Sequence, residues 1–228
     1  MSMKRKKILL ILLLGALLSP AMHARKNLVG VEALMGDNSS YGFFYGSNVK
    51  GFFELPSNLR VQAAFRYLSF PRAVVDVRPA YVFELPFGNL AVEGLAQYAY
   101  QSSTDDICAG VGFGLKREYF WVDLGVYYRQ FSASYGGTVL REPFNLMYEI
   151  GVSGLPFSEK WDLFVVLTTK RLGALERFYS PSALIETVFS PSEKLSFVLS
   201  MESKPSGIFN IAETSYQLLS SIGVKYTW

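Results

Sequence analysis

The stretch whose reading decides the fold is TSYQLLSSIGVKYTW, residues 214–228. On an extended chain Tyr216, Leu218, Ile222, Val224, Tyr226 and Trp228 fall on one face. Gln217, Ser221, Gly223, Lys225 and Thr227 fall on the other. A hydropathy period of two is the mark of a strand with a single apolar face.

The pattern repeats upstream. Val61, Ala63, Phe65 and Tyr67 alternate with Arg60, Gln62, Ala64 and Arg66, and Val75, Val77, Tyr81 and Phe83 with Asp76, Arg78 and Glu84. Phe120, Val122, Leu124, Val126 and Tyr128 alternate with Trp121, Asp123 and Arg129. Soluble β-sandwiches alternate too, but three features point to a membrane. The alternating runs reach a length of about 10–13 residues, against about 5–6 for a soluble strand and about 9–11 for a spanning one. The apolar face gathers Tyr, Phe and Trp near strand ends, as interfacial girdles do. The opposite face is ionic, which suits a wet lumen and not a dry core.

Turns supply an internal repeat. Glu54-Leu55-Pro56-Ser57-Asn58-Leu59 is echoed by Glu84-Leu85-Pro86-Phe87-Gly88-Asn89-Leu90, then by Gly154-Leu155-Pro156-Phe157-Ser158-Glu159-Lys160, and loosely by Ser190-Pro191-Ser192-Glu193-Lys194-Leu195. Proline ends a strand because it cannot donate to the ladder, and Asn, Gly or Ser then close the reversal. A proline-free turn is expected at Lys116-Arg117-Glu118. Strands are expected near 28–36, 41–55, 59–70, 74–85, 90–101, 107–116, 119–131, 141–155, 161–170, 181–190, 195–203 and 214–228. Longer reversals fall near 38, 72, 104, 136, 175 and 207. The expected fold is all-β: a transmembrane up-and-down antiparallel β-barrel of about twelve strands, with ten or eight as alternatives.

Residues 1–24 read as a cleaved signal peptide, leaving 25–228 as the barrel. Lys4, Arg5, Lys6 and Lys7 precede an apolar core from Ile8 to Leu18; Ser19 and Pro20 break it, and Ala21 and Ala24 are cleavage candidates. That core is well short of the roughly 20 residues a spanning helix needs. Cleavage leaves 18 basic residues against 19 acidic, a net charge of −1, so a nucleic-acid reading loses its basis.

The chain resembles the single-chain bacterial outer-membrane β-barrel proteins, the porin-like superfamily, over nearly all of residues 27–228. The resemblance is sharpest in the final alternating strand with its aromatic ending, Tyr226-Thr227-Trp228. It implies export to the bacterial outer membrane, contact with outer-membrane lipid, and assembly by the barrel-assembly machinery, with Tyr226 and Trp228 as the assembly signal.

Catalysis finds little to work with. The only histidine, His23, lies in the signal segment, so mechanisms that use histidine as base have none here. A serine–lysine pair built on Lys170 or Lys225 is not singled out by spacing, and no cofactor is implied. Asp105-Asp106 beside Thr104 would need several more oxygens to hold calcium, and reads as a solvated loop tip. Cys108, the only cysteine, reads as a small filler beside Gly110, Gly112 and Gly114.

The inward phase carries Glu32, Lys50, Arg60, Arg66, Asp76, Arg78, Glu84, Glu93, Lys116, Asp123 and Arg129, then Glu149, Asp162, Lys170, Glu186, Glu202 and Lys225. A basic wall of Arg60, Arg66, Arg78 and Arg129 is expected to face an acidic one of Glu149, Asp162, Glu186 and Glu202. Two readings follow. The charges line a narrow channel for small hydrophilic solutes, or they pair across the lumen and make a closed barrel with a structural or partner-anchoring role. Inward Phe44, Phe52, Leu95 and Phe164 favour partial filling. The reversals at Ser132–Leu140 and Arg171–Ser180 read as connections only.

Overall fold

The computed structural model describes residues 27–70, 72–133, 137–153, 160–171, 173, 175, 180–204 and 217–228. The expected signal segment and the Gly154–Glu159 turn lie outside them.

Twelve strands follow one another: β1 (Asn27–Asn38), β2 (Gly42–Glu54), β3 (Leu59–Leu68), β4 (Arg72–Leu85), β5 (Gly88–Gln101) and β6 (Thr104–Arg117), then β7 (Phe120–Ala133), β8 (Val139–Ser153), β9 (Trp161–Thr168), β10 (Ser182–Phe189), β11 (Leu195–Lys204) and β12 (Gln217–Thr227). Each pairs antiparallel with its sequence neighbours, and β12 returns to β1, so the sheet is a closed barrel. Closure matters because an open sheet edge would leave backbone N–H and C=O groups without partners in lipid. Asn27 and Trp228 complete the seam, each donating its N–H to the other's carbonyl at 3.1 Å.

The strand number is twelve, and the ten- and eight-strand alternatives fall away. Some boundaries move. β6 starts at Thr104 rather than 107, because the Gln101–Thr104 reversal is tight: Thr104 Oγ1 donates to the Gln101 carbonyl at 2.9 Å. β9 stops at Thr168, because the chain then turns into the barrel.

The first proline turn closes where expected, with Leu55 N–H donating to the Leu59 carbonyl at 2.8 Å. Ser57 and Asn58 take left-handed φ of 65° and 60°, a region where asparagine is tolerated better than most residues. The turns after β2, β4, β6 and β10 form the short-turn rim. On the opposite, loop rim the reversals expected to be longer near 38, 72 and 104 are as short, because β2, β4 and β6 begin within four residues of the strand before.

The outer surface is apolar through its middle, with Val111, Phe113 and Leu124 exposed. Aromatic residues mark both ends. Tyr41, Phe43, Tyr45 and Tyr67 stand at the loop rim; Phe83, Phe120, Trp161, Phe197, Tyr226 and Trp228 stand at the short-turn rim. Trp161, Phe189 and Phe197 run side by side there, with ring centroids 4.7 and 6.5 Å apart. Two aromatic bands around an apolar middle are what a bilayer selects.

One irregularity shifts the pattern. Tyr127 pairs with Asn145, but Arg129 pairs with Glu142, so β8 carries a bulge at Pro143 and Phe144. A proline at a bulge loses no ladder bond. The bulge keeps Glu142 on the inward side with Arg129, out of step with the rest of β8.

Candidate functional site: a plugged, ionic lumen

The described residues that follow β9, from Lys170 to Leu175, turn into the barrel. Lys170, Arg171 and Leu175 are buried among inward side chains of the strands, while Thr169 still bonds Tyr148 of β8 in the wall. The expectation that Arg171–Ser180 is only an outer connection is therefore corrected at Arg171, Gly173 and Leu175; residues 172, 174 and 176–179 lie outside the described ones.

Asp76 on β4 is the anchor of this plug. It is fully buried and accepts from Arg78 Nε (3.0 Å) and Nη2 (2.9 Å), Gln97 Nε2 (3.0 Å) and the Gly173 backbone N–H (2.9 Å). Arg78 in turn donates to the carbonyls of Lys170 and Arg171. A bidentate arginine–carboxylate pair fixes both direction and distance, so strand β4 holds the main chain of the plug in one place. Gly173 has φ of 81°, and a Cβ there would lie 3.5 Å from Arg66 Nε, so the chain passes close beside that guanidinium.

Side chains of the plug then reach across the barrel. Lys170 Nζ lies 3.2 Å from Glu93 on β5 and 3.0 Å from Asp123 on β7. Arg171 pairs with Glu202 on β11. Leu175 packs with Leu95, Cys108, Tyr127 and Met147, an apolar cluster inside the lumen. Inward glycines make that cluster possible: a Cβ on Gly110 would lie 2.6 Å from Tyr127 Cβ, and one on Gly125 would lie 2.4 Å from Met147 Cε. A second cluster of Leu34, Phe44, Leu68 and Leu219, with Phe70 against it, lies near the loop rim. Phe44 and Leu95 thus fill space as expected, while Phe52 and Phe164 are only half-buried.

The charges do not form two opposed walls. They pair locally, mostly between near neighbours across the sheet. Lys50 pairs with Glu32 at 2.6 Å, Arg129 with Asp106 at 2.7 Å, and Lys225 with Glu186 at 2.7 Å. Arg60 pairs with Glu54 at 3.2 Å beside the first proline turn, away from Arg66 and Arg78. Asp162 is exposed at the short-turn end of β9. Glu149 accepts from Trp121 Nε1 at 2.8 Å and Thr168 Oγ1 at 2.9 Å. Strand register explains the correction: positions facing one another on adjacent strands lie within about 5.5 Å, whereas opposite walls are a barrel diameter apart.

What remains is an uneven distribution. On β5, β7 and β8 the three carboxylates of Glu93, Asp123 and Glu149 share the field of two cations, Lys170 and Arg78. On the other side Arg171 lies in the field of Arg66 as well as of Glu32. Water reaches part of this layer, since the side chains of Lys50, Asp123 and Lys225 keep 18%, 22% and 20% exposure.

Other candidates resolve simply. Asp106 faces inward to Arg129, while Asp105 faces outward and accepts from Tyr98, so the two carboxylates do not converge on one ion. Cys108 is buried, with its Sγ 3.6 Å from Asp106 Oδ1. Lys170 and Lys225 both hold carboxylates. Asp106 was legible from its phase with Cys108. Glu142 was hidden by the bulge, and no periodic signal marks Arg171.

This is the fold of the porin-like bacterial outer-membrane β-barrels, with a lumen part-filled by its own chain. The chain matches no family model and no curated protein. Among solved structures it is similar to the NanC porin (TM-score 0.56, 11% identity, 86% of this chain and 98% of that one). It is similar also to the KdgM porin in complex with disordered oligogalacturonate (0.52, 10%, 86% and 98%). The translocator domain of autotransporter NalP from Neisseria meningitidis is a comparable match (0.53, 13%, 98% and 95%). Such identities establish the fold alone, and a translocator beside two porins means that the fold does not choose between jobs.

Proposed function

We infer that the protein is a narrow outer-membrane channel for small hydrophilic solutes, its bore narrowed by Lys170, Arg171, Gly173 and Leu175. The observation that carries this reading is the layer of ion pairs, Lys50–Glu32 and Lys225–Glu186, that water reaches at Lys50, Lys225 and Glu186, beside a plug anchored on β4. A polar, hydrated strip next to a fixed constriction favours small solutes over large ones. The two porins among the structural neighbours support the same reading. Outer-membrane lipid and the barrel-assembly machinery are the partners that follow from it, and no reaction is assigned.

The apolar cluster around Leu175 favours a second reading, a closed barrel that stiffens the envelope or anchors a partner. Single-channel conductance of the refolded protein in a planar bilayer separates the two. Discrete steps that scale with salt are expected. A folded, heat-resistant barrel that conducts nothing overturns the channel and selects the closed reading.

A further inference from the structure

On its outer surface the barrel carries an apolar groove of about 680 Å³ across β4 to β8. That volume falls among pockets that hold a ligand, about 300–1,000 Å³. Its origin is local. Pro79 cannot donate to β5, and the β4–β5 ladder skips from the Val77–Ala96 pair to the Ala80–Glu93 pair. Next to it, small residues Gly94, Ala96 and Ala109 face outward where neighbouring strands carry bulky groups. On the far side the bulge thrusts out Phe144, which is 68% exposed.

The groove has a polar end. Gln130 and Arg141 are register partners on β7 and β8, on the outward phase opposite to that of Arg129 and Glu142. Both stand two positions nearer the loop rim than Tyr128 and Pro143, about 7 Å along the strands. Tyr128 donates its hydroxyl to Gln130 Oε1 at 3.1 Å, so the mouth of the groove is lined with hydrogen-bonding groups. An outward arginine is costly at mid-membrane and cheap near the interface, and this one stands across from Gln130, three residues from the loop-rim end of β7. The nearest outward acid of β6, Asp105, is occupied by the Tyr98 hydroxyl.

We propose that this groove seats one membrane lipid with an anionic phosphate headgroup, an acyl chain lying on Gly94, Ala96 and Ala109 and the phosphate held by Arg141. Arginine matches phosphate in both charge and donor geometry. The assignment rests on the membrane placement proposed above but not on conduction.

The test is native mass spectrometry of the folded barrel, released from micelles containing equal amounts of phosphatidylglycerol and phosphate-free diacylglycerol with identical acyl chains. One lipid is expected to stay bound, phosphatidylglycerol in about tenfold preference, as one charge-assisted contact provides. Arg141→Gln should abolish the preference yet retain a lipid. Ala96→Leu with Ala109→Leu should lose both lipids, and a gel shift on heating confirms that each variant is folded. No retained lipid, equal retention of the two, or an Arg141→Gln variant that keeps the preference overturns the proposal. So does a dimer that dissociates when the groove is filled, since the occupant is then a second copy. Should the double variant fail to fold, the surface substitution at Arg141 still decides.

Discussion

Arg78 Nη2 lies 2.9 Å from the Arg171 carbonyl and 2.9 Å from Asp76 Oδ2, so one guanidinium joins strand to plug. With the partners 93 positions apart along the chain, this contact is what brings Arg171 into the lumen.

Removing the carboxylate at the centre of that joint leaves Arg78 buried without its counter-ion. Asp76→Ala is expected to destabilise the barrel by about 3–5 kcal/mol, the usual cost of breaking a buried pair. Urea titration of the refolded protein, followed by gel mobility, measures it. A loss under about 1 kcal/mol would show that the network is incidental.

The plug should also be releasable without disturbing the strands. Leu175→Asp puts an unpaired charge among Leu95, Cys108, Tyr127 and Met147, a burial that proteins avoid. The segment is then expected to leave the lumen, raising conductance and exposing Lys170 and Arg171 to trypsin. Both are buried in the parent protein, so cleavage there should be seen in the variant and not in the parent. Unchanged conductance together with unchanged trypsin resistance would argue against a plug of this kind.

Lys170 is the cation nearest to Glu93 and Asp123. Lys170→Met removes it and leaves these carboxylates with Arg78 as their remaining nearby cation, so the acidic excess grows and ion preference should move toward cations. The reversal potential under a potassium chloride gradient reads this directly; a shift toward anions would contradict the charge distribution described above.

Lys225 and Glu186 keep 20% and 16% exposure, so their attraction is partly screened. A double-mutant cycle with alanine is expected to give a coupling of at most about 1 kcal/mol. A much larger value would mean that this part of the lumen is dry.

Tyr226 and Trp228 stack with centroids 6.0 Å apart on the outer face of the last strand, accessible to another protein. If they act as an assembly signal, Tyr226→Ala with Trp228→Ala should lower the folded yield in cells several-fold while refolding in detergent proceeds. Equal losses in both settings would reduce their role to packing.

How far the sequence reveals all this depends on what repeats. Alternation over residues 59–68 or 120–128 names a strand and its inward side, and Pro56 and Pro86 name its end, because both signals are local. Barrel closure follows from the need to leave no edge. Which charge meets which is not local: Arg129 meets Asp106 because β6 and β7 share one register, and sequence spacing does not give that. The bulge at Pro143 hides Glu142 for the same reason. The plug is least legible. Its anchors are main-chain groups of Lys170, Arg171 and Gly173, which every residue carries.

The seam between Asn27 and Trp228 dictates an order of events. The two partners lie about 200 residues apart, so the outer edge of β1 cannot be satisfied until the whole chain has been delivered. Until then the growing sheet exposes two unpaired margins, one at each end, and either can capture a neighbour's strand. A cell that makes this protein must therefore keep its first strand from bonding elsewhere until the last one arrives.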